Sequence, residues 1–136
     1  DSERPVPRYV SLAADSANGR HGPGLEYQID WIYQRAGLPL LVTAESGPWR
    51  RVTDPGGDQV WIHTRNIEER RTAMVRAQTP LRRNPSDGAR VVAVLAADLI
   101  AALTGCEGSW RRVAVGGRVG WAPAADLWGA DDCDGL

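Results

Sequence analysis

The chain has 136 residues, 43% of them hydrophobic and 24% charged, with a formal net charge of −1. Those proportions belong to one ordinary folded domain or two very small ones, and exclude a disordered chain. The charge balance predicts no nucleic-acid partner, and no apolar run reaches membrane-spanning length, so membrane insertion is not expected either.

Along the chain, short runs rich in Val, Ile, Leu and Trp alternate with Gly and Pro, the pattern of strands joined by turns. Strands are expected at 28–33, 40–45, 49–54 and 59–63, broken by Ser46-Gly47-Pro48 and Asp54-Pro55-Gly56-Gly57. Residues 64–71 are polar and lack apolar periodicity, so they read as a connector with room for one short helical turn. A second set of strands is expected at 72–77, 90–95, 98–104, 110–115 and 118–121. Within it, Val115-Gly116-Gly117-Arg118 fits a two-residue hairpin, because glycine supplies the positive φ that primed turns need. The stretch AVLAADLIAAL at 93–103 has helical propensity, yet its place in the longer pattern argues for strands.

That longer pattern is a duplication. "GPWRRV" begins at Gly47 and "GSWRRV" at Gly108, so Trp49-Arg50-Arg51-Val52 answers to Trp110-Arg111-Arg112-Val113. Trp61 answers to Trp121, Ile67 to Leu127, and Arg20-His21-Gly22-Pro23 to Arg82-Arg83-Asn84-Pro85. Ordered anchors of this kind indicate two copies of a unit of about sixty residues. So few short strands cannot stack two sheets, but can close into a small bent barrel. The expected architecture is all-β, with one small β-barrel and an N-terminal tail in 1–68 and a second with a C-terminal tail in 69–136.

"NGRHGPG" at 18–24, then "GPWRRV", then "VWIH" at 60–63 resembles the bacterial SH3-like domain. Its usual pattern is an Asn-x-Arg-x-Gly-Pro turn, a Trp-x-x-Val strand and Gly-Trp-Val before a 3₁₀ turn. The second copy keeps "GSWRRV" and "VGWAPAADL" but has Asn84-Pro85-Ser86 where the first has Gly22-Pro23-Gly24. Across nearly its whole length the chain is similar to tandem periplasmic SH3-like proteins of alphaproteobacteria. The resemblance implies two tandem SH3-like barrels, no enzymatic activity and no cofactor. It further implies a cell-envelope module whose partner is a cell-wall glycopeptide or an envelope protein or peptide. The alternative it leaves is a structural or sensory ectodomain that meets a protein partner.

Strand parity sorts the candidate binding residues. Val113 and Val115 share one face of their strand and make the better core pair, which places Trp110 and Arg112 on the other. The same reasoning puts Val52 inside with Trp49 and Arg51 outside, and Val60 and Ile62 inside with Trp61 partly exposed. Together with His63, Trp121 and Pro123, these residues would form shallow aromatic grooves flanked by arginine, suited to a peptide or glycan. The competing expectation is that the tryptophans seal barrel ends or pack the barrels together, since the chain has no Phe to supply apolar area. Pro123 stands where SH3 domains place a groove-lining proline. No acidic, Tyr-rich loop accompanies it, which disfavours a proline-rich ligand.

His21 and His63 are the only histidines, and no nucleophile pattern singles out a partner for either. The spacings of His21, His63, Cys106 and Cys133 match no structural zinc motif, so no metal is expected. Cys106 and Cys133 fit a disulfide in an oxidising compartment, the favoured reading, or two free thiols. The resemblance implies a cysteine just after the second-copy tryptophan; Arg111 stands there, leaving Cys133 as the substitute partner. The chain begins at Asp1 without Met, and a periplasmic or otherwise exported protein with its signal peptide removed is expected.

Overall fold

The computed structural model describes residues 2–136. It divides into two compact units, Asp1–Arg70 and Arg71–Leu136. The first contains β1 (Arg8–Leu12), β2 (Ala17–Arg20), β3 (Ile29–Tyr33), β4 (Pro39–Ser46), β5 (Trp49–Thr53), β6 (Gln59–His63), a 3₁₀ turn at Thr64–Asn66 and β7 (Ile67–Glu68). The second contains β8 (Thr72–Val75), β9 (Thr79–Arg82), β10 (Val91–Leu95), β11 (Ile100–Glu107), β12 (Trp110–Val115), β13 (Arg118–Pro123), a 3₁₀ turn at Ala124–Asp126 and β14 (Leu127–Trp128). The sheet orders are β3-β2-β6-β5-β4-β1-β7 and β10-β9-β13-β12-β11-β8-β14, the same order twice. The duplication seen in the sequence is therefore a duplication of topology, and residues 93–103 form strands around a turn.

Neither sheet closes into the expected barrel. In the first unit β3 pairs only with β2 and β7 only with β1, so the sheet keeps two margins, and the second unit matches it. β7 and β14 have two residues each, too few to carry a ladder round to the far edge. Bending comes from bulges at matched places. Register slips between Val42 and Ala44 in β4 and between Leu103 and Gly105 in β11. The extra residue is Thr43 in one and Thr104 in the other, and a bulge of this type bends and twists its strand.

The repeated Trp-Arg-Arg-Val has a structural explanation. Gly47 and Gly108, at φ +55 and +56, open the hairpin turns before β5 and β12. The first arginine of each motif folds back on that turn. Arg50 Nη1 donates to the carbonyls of Gly47 (2.7 Å) and Trp49 (2.9 Å), and Arg111 Nη1 donates to those of Gly108 (2.7 Å) and Trp110 (2.9 Å). Both arginines are buried. Each ties down carbonyls that would otherwise lose water without gaining a partner.

Val10, Leu12, Leu40, Val42, Val52, Val60 and Ile62 form the first core; Val75, Leu81, Leu95, Leu103, Val113 and Leu127 form the second. The two cores exchange large and small residues. A Cβ on Gly19 would lie 2.7 Å from the Val60 side chain, so Gly19 makes room for Val60. In the second unit the matching positions are Leu81 and Gly120, and there a Cβ on Gly120 would lie 2.7 Å from Leu81. Summed volume is kept while the bulky partner changes strand.

Candidate functional site

In an antiparallel ladder, residues directly opposite one another project to the same face. Arg20 in β2 opposes Trp61 in β6, and Trp61 opposes Arg51 in β5. Arg82 in β9 opposes Trp121 in β13, and Trp121 opposes Arg112 in β12. Each unit thus carries a rank of arginine, tryptophan and arginine across three strands. Beside it Trp49 opposes His63, and Trp110 opposes Pro123, two residues along the same strands. All four predicted residues of each repeat fall on one face.

The arginines of the ranks have distinct duties. Arg20 Nη1 donates to the carbonyls of Leu25 (3.2 Å) and Tyr27 (2.9 Å), and Arg82 Nη1 to that of Ala89 (2.8 Å), so both organise the loops leading to β3 and β10. Arg51 Nε donates to Thr43 Oγ1 (2.9 Å) and Arg112 Nη1 to Thr104 Oγ1 (3.1 Å), so the bulge threonines orient these guanidinium groups. Arg112 is exposed; Arg51, Trp61, Trp110, Trp121 and Pro123 are half-buried. The outer face therefore presents a partly open indole beside an oriented guanidinium in each repeat.

Trp49 departs from the expectation of an outward, open ring. It is 8% exposed, because the chain returns over it: Thr64 N–H donates to the Pro48 carbonyl (2.9 Å), and the His63 ring stands edge-on to the indole at 5.2 Å. His63 Nδ1 accepts from the Arg65 N–H (3.1 Å) and so caps the 3₁₀ turn. Its geometry gives it a structural duty. His21 Nδ1 lies 3.0 Å from Asp30 Oδ2, and Gln28 donates to Asp30 Oδ1 (2.8 Å). The Gln28 amide foremost, then His21, holds the Asp30 carboxyl below its ordinary range. Among the described residues, no three His, Cys, Asp or Glu side chains gather as a metal site would require.

Two features escaped the sequence reading. One is the margin strand β3, where Ile29, Trp31 and Ile32 are exposed and line a shallow depression with Asp30. The run Ile-Asp-Trp-Ile falls in an expected strand, and its position at the sheet margin is what leaves these side chains exposed. The other is the buried polar pairing in the first unit. Tyr33 Oη donates to Asp54 Oδ2 (2.8 Å), and burial, then the carboxylate, pushes the phenol well above its ordinary range. Glu45 sits between Arg8 and Arg50; the Ser2 hydroxyl first, then the two guanidinium groups, holds its carboxyl below the usual range.

The bacterial SH3 domain model matches the chain twice, at residues 13–69 and 75–129. The chain belongs to the bacterial SH3 domain family. As a bacterial SH3 protein it has both copies in tandem, each match running from the first or second strand of its unit to the strand that follows the 3₁₀ turn. Among solved structures it is similar to NlpC1 from Trichomonas vaginalis at 13% identity and a TM-score of 0.42, covering 93% of this chain and 47% of that one. It is also similar to NlpC2 from Trichomonas vaginalis at 12% identity and a TM-score of 0.41, covering 92% of this chain and 49% of that one. The bacterial SH3 chain thus spans about half the length of these structures. No curated protein matches it. No helix among the described residues is long and apolar enough to cross a membrane.

Proposed function

We propose that this bacterial SH3 chain is a non-enzymatic binding module of the cell envelope that recognises a peptide or glycopeptide of the wall. The observation that carries the reading is the rank of arginine, tryptophan and arginine repeated on the outer face of both units. The half-open faces of Trp61 and Trp121 offer apolar area to a sugar ring or aliphatic side chain at little entropic cost. Arg51 and Arg112, held by their threonines, offer planar donors to a carboxylate. The Cys106–Cys133 disulfide supports an oxidising compartment, periplasmic or otherwise exported.

Cosedimentation with purified peptidoglycan sacculi tests the proposal. The wild-type chain is expected in the pellet, the Trp61→Ala/Trp121→Ala variant in the supernatant. Arg51→Ala/Arg112→Ala should bind more weakly and with less salt dependence. A wild-type chain that stays in the supernatant, or a double-tryptophan variant that sediments as well as wild type, removes the assignment. A second reading, an ectodomain that contacts an envelope protein, is favoured by exposed Ile29, Trp31 and Ile32 on β3. It predicts that Trp31→Ala abolishes that contact while leaving sacculus binding unchanged.

A further inference from the structure

Each unit holds a pair of arginines at equivalent places, Arg50, Arg71 and Arg111 buried and Arg8 half-buried. In the first, Arg8 opposes Val42 and Arg50 opposes Glu45. In the second, the Arg71 carbonyl accepts from the Leu103 N–H (3.1 Å), and Arg111 opposes Cys106. Val42 and Leu103 correspond, since they oppose Val52 and Val113, so Glu45 and Cys106 occupy the same position in the two units. The acceptors differ. In the first unit Glu45 serves both cations, with Oε2 2.8 Å from Arg50 Nε and Oε1 3.8 Å from Arg8 Nη1. In the second unit no carboxylate stands in that place. Cys106 is bonded to Cys133, and the bond brings residues 129–134 over the arginines. Arg71 Nη1 donates to Asp132 Oδ1 (2.9 Å) and the Asp134 carbonyl (2.6 Å), and Arg71 Nη2 to the carbonyls of Gly129 (2.9 Å) and Asp132 (3.4 Å). Arg111 Nε donates to the Ala130 carbonyl (2.9 Å).

We propose that the Arg71 guanidinium is a binding site for a carboxylate-bearing extended peptide, that residues 131–134 fill it in cis, and that the Cys106–Cys133 bond decides whether they stay. Glu45 in the first unit shows the chemistry such an arginine pair accepts. Residues 131–134 present the same kind of acceptor to Arg71, one side-chain carboxylate plus main-chain carbonyls. Ala130 is fully buried in the core, so it anchors the start of the segment and Arg111 keeps its partner. What the bond adds is the tether at Cys133. That residue is exposed and Cys106 is half-buried, so a small dithiol reductant reaches the bond. The dithiol supplies two electrons and two protons: its own sulfurs become a disulfide, and Cys106 and Cys133 become thiols. Once the tether is cut, the local concentration of Asp132 at Arg71 falls, and an acidic peptide in solution competes with it on equal chemistry.

The test uses the full chain, oxidised and after treatment with dithiothreitol, and a labelled synthetic peptide of residues 131–136 carrying Ser in place of Cys133. Reduction is expected to speed amide hydrogen exchange at 131–134 at least tenfold, while β11, β12 and β13 keep their protection. The peptide should bind the reduced chain at least tenfold more tightly than the oxidised one, more tightly still in reduced Asp132→Ala, and not when Asn replaces its aspartates. Cys133→Ser should bind it without reductant; if that variant does not fold, the reduced wild type gives the same readout. Unchanged exchange on reduction, equal peptide affinity in both redox states, or loss of protection throughout the second unit each overturns the proposal. The last outcome would make the bond a staple of the fold.

Discussion

Replacing Tyr33 by Phe removes one oxygen from the first unit and little else. The ring stays packed where a Cβ on Gly19 would lie 2.9 Å from it. The lost group is the donor to Asp54 Oδ2, and both residues are buried, Tyr33 at 4% and Asp54 at 6% exposure. Asp54 Oδ1 keeps the Asp58 N–H (3.0 Å), but the buried Oδ2 is left without its phenol donor. A hydrogen bond to a buried charge, with the desolvation left behind, is worth about 2 kcal/mol. For a domain of this size that corresponds to a fall in melting temperature of roughly 10 °C. Urea unfolding of the full chain followed by tryptophan emission measures the loss, and peptide-resolved hydrogen exchange assigns it to the first unit. The second unit supplies the control. At the positions of Tyr33 and Asp54 it has Leu95, in its core, and Val115, which packs half-buried against that core. Tyr33→Leu/Asp54→Val should therefore recover most of the loss, since replacing both partners by apolar groups leaves nothing unsatisfied. The pH dependence follows the same pair. The folded state holds the phenol neutral, so its pKa lies above the unfolded value of about 10. The stabilisation is complete below that pH and is lost as pH rises beyond it. Tyr33→Phe should lack this alkaline slope. A stability change under about 0.5 kcal/mol would refute the reasoning, because that is the size of an ordinary surface substitution.

Gly47→Ala should cost about 1–2 kcal/mol, since φ is +55 there and open space surrounds the missing Cβ, leaving backbone strain as the whole effect; thermal melting reads it, and an unchanged midpoint would contradict the assigned turn. Glu45→Gln should flatten the acid limb of the stability curve. The Glu45 pKa is lowered on folding, so its contribution is present above the ordinary glutamate value of about 4.3 and lost as pH falls through the folded value. Wild type and variant should differ at neutral pH and converge in acid; parallel curves would show that Ser2, Arg8 and Arg50 do not act through that carboxylate.

The duplication, the all-β class, most of the inner strands and the hairpin at Gly116-Gly117 were legible in the sequence. They rest on local rules: alternation, turn residues and the recurrence of rare tryptophans. Part of the candidate face was legible as well, because parity within each strand sets Arg51 apart from Val52 and Trp61 apart from Val60 and Ile62, whereas the small neighbours Gly120 and Ala122 left Trp121 undecided and the register across strands came from the structure. The Cys106–Cys133 bond was predicted and is present, joining residues whose Cα atoms lie 5.9 Å apart. Other features depended on which strands become neighbours. Parity said that Trp49 faces outward, but the 3₁₀ segment that covers it arrives from fifteen residues further along, where Thr64 meets Pro48. β2 has too few apolar residues, and β9 a proline, to announce itself, and both gain strand geometry from partners already in place. Parity sets Arg51 and Arg112 outward and leaves the role of Arg50 and Arg111 open. The first arginine of each pair is buried because the turn before it offers carbonyls and a further acceptor meets it, Glu45 across the same hairpin in one unit and Ala130 from further along the chain in the other. The exchange of Gly19 with Val60 for Leu81 with Gly120 likewise has no meaning along either strand. Local sequence sets which way a side chain points. What fills the space it points into belongs to residues far away in the chain, and only the folded structure brings them there.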